Sequence, residues 1–145
     1  MSHRHPNQIA LVPDTKGGLD YLIDGRPLLK HLHSHGHKDT DFVSPFSVHG
    51  SDLDAKAAGW LLLRLKSPLP TQRVPLLFCP RCFDLGCGAV TAVVERVNGR
   101  FIWKDFGFET TTGEAVSRRD RYEHVRGFEF DENAYSALFS RYFVG

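Results

Sequence analysis

The run "AVTAVVERVNGRFIWKDFGF", Ala89 to Phe108, constrains the fold more than any other part of the chain. Two stretches rich in β-branched and aromatic residues flank Asn98-Gly99, a dipeptide that accepts the positive φ angles a two-residue hairpin turn needs. An antiparallel hairpin follows, with Phe101, Trp103 and Asp105 on one side of its second strand. "FEF", Phe128 to Phe130, is expected to add an edge strand.

Two helices are expected to cover this sheet. Ser51 or Asp52 can accept hydrogen bonds from the free amides that open a helix, and Leu53, Ala57, Trp60 and Leu61 then share one face, which predicts a helix over Asp52 to Lys66. Asp131 caps a second helix, Asp131 to Phe143, whose apolar face carries Tyr135, Leu138, Phe139 and Tyr142. Near the start, "IALVP" reads as a short strand, "KGG" as a turn, Asp24-Gly25 as a turn signal, and Pro27 to His33 as a short helix before a long loop. Pro68, Pro70 and Pro75 hold "SPLPTQRVP" extended as a connector rather than a linker between domains. With 145 residues, 41% of them hydrophobic, one core suffices. The expected architecture is a single α+β domain over residues 1–145, an antiparallel sheet centred on the hairpin and packed by the two helices.

Eighteen basic against seventeen acidic side chains leave a net charge of +1. No overall field favours nucleic acid or an anionic membrane, and either would need a local patch. Arg118, Arg119, Arg121 and Arg126 come nearest to one, but Glu114, Asp120 and Glu123 interleave with them and Tyr122 is the lone aromatic available for base stacking. Neither a membrane nor a direct nucleic-acid partner is expected. The opening "MSHRHPNQIALVPD" has no apolar signal region, and "WLLLRL" is short and broken by Arg64, so the chain reads as cytoplasmic. It holds no GxSxG, HExxH, phosphate-binding glycine loop or dinucleotide fingerprint.

All three cysteines fall within "FCPRCFDLGCGAV", and three chemistries compete for them. Cys79 and Cys82 have the spacing of a zinc knuckle, Cys87 could be a third ligand, and a histidine such as His49 or His124, one of His31 to His37, or water would complete the set. The same CxxC could serve thiol redox chemistry, although the expected strand, loop and hairpin order lacks the helix that would lower a thiol pKa. Structurally, the cysteines are small residues in a turn shaped by Pro80, Gly86 and Gly88. No cofactor is expected on this last reading, and zinc is the alternative.

Two further groups merit inspection. His31, His33, His35 and His37 would share one face of an extended chain and could bind Zn, Ni or Cu; otherwise they form a solvated loop. Asp105 and Glu109 could pair as carboxylates, a chemistry that demands a defined separation.

The segment "VPLLFCPRCFDLGCGAVTAVVERVNGRFIWKDFGFE" resembles the central signature of a family of small, mostly uncharacterised bacterial proteins, a CPxCxDLGCGAVT strand followed by a WxDFGxE strand. "YLIDGRPLL", "VSPF" and "FEFDENAYSALF" resemble it more loosely. The resemblance draws attention to Cys79, Cys82, Asp84, Cys87, Trp103, Asp105 and Glu109, and Phe83 stands where the pattern has a small or polar residue. It implies an immunity protein, an antidote to a bacterial toxin; other members carry an oxidoreductase label. Binding rather than catalysis is therefore the expectation, with a toxin domain, such as a nuclease, as partner. Asp39, Asp41, Asp52 and Asp54 are the acids expected to meet a basic cleft there, with no catalytic residues assigned.

Overall fold

In the computed structural model, Asn98 and Gly99 take φ values of 51° and 77° and close the expected hairpin. The structure describes residues 5–15, 17–32, 41–47, 52–81, 83–110 and 122–143. In chain order these form β1 (Ile9–Pro13), β2 (Leu19–Ile23), β3 (Arg26–Pro27), α1 (Leu28–Leu32), α2 (Leu53–Leu61), β4 (Val74–Phe78), β5 (Ala89–Val97), β6 (Arg100–Glu109), β7 (Phe128–Asp131) and α3 (Glu132–Ser140), with short 3₁₀ turns at Pro45–Ser47 and Leu85–Cys87.

The fold is α+β. Its larger sheet runs β4-β5-β6-β7, all neighbours antiparallel, with the hairpin at its centre and β7 on the edge as expected. Between Thr91↔Gly107 and Val93↔Lys104 the register shifts, so Asp105 and Phe106 together oppose Ala92. Asp105 sits there at φ 52°, the left-handed conformation of a bulge residue, and is exposed. Gly127 leads into β7 at φ 96°, and a Cβ there would lie 2.5 Å from the Trp103 carbonyl oxygen, so only glycine lets the returning chain lie against β6.

At the start β1 and the short helix α1 form where a strand and a helix were expected, and the correction is a second sheet, β1-β2-β3, which adds β2 and β3. Asp24 and Gly25 take φ values of 51° and 80° and turn β2 into β3. Along β2 Tyr21 and Ile23 are buried while Asp20 and Leu22 are half-buried, and the apolar Leu22 on the more open side conceals this alternation in the sequence. Asn7 ties the sheets together. Its N–H donates to the Glu129 carbonyl at 2.6 Å, its Oδ1 accepts the Glu129 N–H at 2.8 Å, and its Nδ2 donates to Asp24 Oδ2 at 2.6 Å.

Both helices start as expected and end early. Asp131 Oδ2 accepts the Ala134 N–H at 3.0 Å, and α3 buries Tyr135 and Phe139. The helix expected to reach Lys66 stops at Leu61. Leu63 turns left-handed at φ 59°, and the N–H groups of Arg64 and Leu65 both return to the Gly59 carbonyl, at 2.9 and 3.1 Å. A Cβ on Gly59 would lie 2.5 Å from Leu65 Cδ1, so the glycine makes room for this wrap. One contiguous core joins the layers: the Tyr21 ring from β2 meets Trp103 of β6 edge-on at 5.4 Å, and Phe46 stacks on Phe139 of α3 at 5.7 Å.

Candidate functional site

The β4–β5 ladder runs to Phe78↔Ala89, so the cysteine loop closes between two paired strands, with Cys79 and Cys87 near its opposite ends. Its turns are self-supporting. The Phe83 N–H donates to the Cys79 carbonyl at 2.9 Å, Asp84 Oδ1 accepts the Gly86 N–H at 2.9 Å, and the Cys87 N–H returns to the Asp84 carbonyl at 3.0 Å. Phe83 packs against the core, which gives this position a reason to be apolar. Gly88 follows at φ 94°, where a Cβ would fall 2.2 Å from the Phe108 ring. Cys79 is half-buried and Cys87 exposed, whereas Cys82 lies outside the described residues. Among the described residues no three His, Cys, Asp or Glu side chains gather to hold a metal.

Glu109 belongs to a different constellation from the expected one. Its side chain is 2% exposed. Oε1 accepts from Thr91 Oγ1 at 2.8 Å, Oε2 accepts from Thr71 Oγ1 at 2.8 Å, and Arg73 Nε lies 3.2 Å from Oε1 and 3.1 Å from Thr91 Oγ1. This buried ion pair fastens the proline-rich connector to β5 and β6. Asp105 points to solvent four residues earlier, about 13 Å along an extended strand. The structure thus does not bring the two carboxylates together. Nothing in the sequence signalled Thr71 and Arg73, because they sit in a stretch that reads only as a connector.

The four candidate partner-binding acids divide. Asp41 Oδ2 lies 3.5 Å from Arg81 Nη2, which links the segment before Val43 to the cysteine loop. That segment also bridges β4: the Val43 N–H donates to the Phe78 carbonyl at 2.9 Å, and the Val43 carbonyl accepts from the Phe78 N–H at 2.7 Å. Asp52 occupies the N-cap position of α2, exposed, and its carboxylate makes no capping bond. Asp54 accepts the Ala55 N–H at 2.7 Å in the first turn. Asp39 lies outside the described residues. Trp60, at 7% exposure, belongs to the core.

His31 serves the fold. Its Nε2 lies 2.9 Å from the Ile23 carbonyl and its ring meets Phe128 edge-on at 5.0 Å. His33, His35 and His37 lie outside the described residues, as do Arg118, Arg119 and Arg121. Tyr122, the one aromatic near those arginines, is 2% exposed and offers no stacking surface. A cleft of about 690 Å³, which the sequence did not signal, opens between the N-terminal segment and the start of α3, lined by His5, Asn7, Ile9, Phe130 and Ala134 among others.

No protein-family model, no curated protein and no solved structure matches this chain. No helix of the described residues is long and apolar enough to cross a membrane.

Proposed function

We propose that this protein works by binding, as an intracellular antidote that covers the active site of a bacterial toxin domain in the cytoplasm. The acidic start of α2 carries the proposal: Asp52 is exposed with a carboxylate unspent on capping, and Asp54 stands in the same first turn. A toxin that cleaves nucleic acid presents a basic cleft, and carboxylates offered to it speed encounter and fix register. Many acids elsewhere are consumed by the fold. Asp24, Asp84 and Asp131 hold backbone amides, while Glu109, Glu129 and Glu132 pair with Arg73, Arg100 and Arg96.

A search of the neighbouring genes for a toxin, and coexpression with any found there, tests the proposal, with cell survival as the first readout. Replacing Asp39, Asp41, Asp52 and Asp54 by Asn should then slow association and flatten its salt dependence while leaving the melting temperature in place. Association kinetics that ignore the four substitutions would move the interface elsewhere.

A second reading, zinc held by Cys79, Cys82 and Cys87, is favoured by the Phe78↔Ala89 pairing, which closes the loop between its outer cysteines. Metal analysis of the purified protein and of Cys87→Ser separates it from the first. Zinc that copurifies and is lost in the variant supports it, and a metal-free, folded protein removes it.

A further inference from the structure

Leu63, Leu65 and Val97 are the large hydrophobic side chains left exposed among the described residues, and the two leucines share one turn beyond α2. They are 45% and 42% exposed. Leu63 also sits at φ 59°, where a leucine Cβ is strained and glycine is not. The backbone is pinned there: the Leu63 N–H donates to the Trp60 carbonyl at 3.1 Å, and the next two amides to Gly59. A strained leucine is thus held in a fixed, solvent-facing position where the fold would be served better by glycine. Such a local cost at an exposed site points to a use.

Among the described residues, the charges carried by the two segments that meet here have one sign. Arg64 lies over the Phe143 ring at 5.6 Å, which brings the end of the α3 segment to this corner. Lys66 follows Leu65, and Arg141 caps α3 two residues before Phe143. The first-turn acids of both helices, Asp54 and Glu132, stand at the opposite ends. No acidic residue occurs in residues 61–67 or 140–143. The near-zero net charge, from which no membrane partner was expected, averages this corner away.

We propose that the Leu63–Lys66 turn, with Arg141 beside it, docks reversibly on an anionic lipid surface. The Leu63 tip enters the boundary of the acyl chains beside Leu65, whose Cδ1 packs toward Gly59, the half-exposed Phe143 lies at headgroup level, and Arg64, Lys66 and Arg141 meet the phosphates. Alternation along Leu63-Arg64-Leu65-Lys66 sets apolar and cationic groups side by side, as an interface between hydrocarbon and anionic headgroups requires. One apolar tip and three cations make for weak, switchable attachment rather than permanent anchoring.

Cosedimentation of the full chain with vesicles tests this, comparing phosphatidylcholine doped with phosphatidylglycerol against phosphatidylcholine alone. The wild type should bind the anionic vesicles, and high salt should release it. Leu63→Gly should weaken binding about tenfold, as loss of one buried leucine tip predicts, with a melting temperature that stays or rises. Arg64→Ser and Lys66→Ser should each weaken it about fivefold. Val97→Ser, at the distant hairpin end, should bind as the wild type does. Equal binding to both vesicle types, no binding at all, indifference to Leu63→Gly, or an equal loss in Val97→Ser each overturns the proposal. Absence of vesicle binding together with an antidote defect in Leu63→Gly assigns the corner to a protein partner instead.

Discussion

The indole N–H of Trp103 donates to the hydroxyl of Tyr135 across 2.9 Å, and that hydroxyl donates in turn to the Leu61 carbonyl at 2.8 Å. One fully buried hydroxyl therefore links the central hairpin, α3 and the C-terminal end of α2, satisfying two groups that would otherwise be stranded in the core. Burial pushes the Tyr135 pKa well above the usual phenolic range, so it remains a neutral donor. Tyr135→Phe keeps the ring stacked on Phe101 yet leaves the indole N–H and the carbonyl unpaired. Chemical denaturation should show a loss of about 1–3 kcal/mol. Trp103→Phe in the same background should cost less than it does alone, since the bond it removes is already gone.

Tyr21 has the opposite standing. Its hydroxyl is fully buried and has no hydrogen-bond partner among the described residues, while its ring packs edge-on against Trp103 and Phe46. Removing an unsatisfied buried hydroxyl while keeping the ring spares a desolvation cost. Tyr21→Phe should leave the melting temperature unchanged or raise it. A loss as large as that of Tyr135→Phe would show that the Tyr21 hydroxyl does have a partner.

The Glu109–Arg73 pair predicts a strong asymmetry. Glu109→Ala takes the facing carboxylate from Arg73, whose side chain is 11% exposed, and should cost about 3–5 kcal/mol in equilibrium unfolding. Thr71→Val removes one neutral donor from Glu109 and should cost about 1 kcal/mol. Comparable losses would mean that the charge is compensated by other groups.

How much of this was legible in the sequence depends on the range of the interaction. Asn98-Gly99 and the Asp131 cap act through their own backbone angles and neighbouring amides, so the hairpin and the start of α3 could be read directly. The early end of α2 depends on Gly59 receiving Leu65, a contact that a helical periodicity of leucines conceals. Asn7 and the Glu109 cluster join residues far apart in the chain, Asn7 to Glu129 and Thr71 to Glu109, and no local pattern marks such partners. Of the candidate site, the turn chemistry of the cysteine loop was legible in Gly86 and Gly88, whereas the Asp41–Arg81 pairing that ties it to a neighbouring segment was not.

Asp20 supplies the pH dependence. Burial raises its pKa above the ordinary 3.8, a backbone hydrogen bond from Tyr21 opposes the shift, and the nearby Asp14 charge adds to it. A carboxyl whose folded pKa lies above its unfolded one binds its proton more tightly in the native state. Its stabilising contribution is therefore fully present below the unfolded pKa and is lost as pH rises through the folded value, leaving the ionised group at a disadvantage at neutral pH. Asp20→Asn keeps the shape without the charge. Its melting temperature should exceed that of the wild type at neutral pH, and the gap should close as pH falls below the ordinary carboxyl range. A gap that is constant across the titration would assign the gain to packing, and a gap that widens in acid would reverse the sign of the linkage.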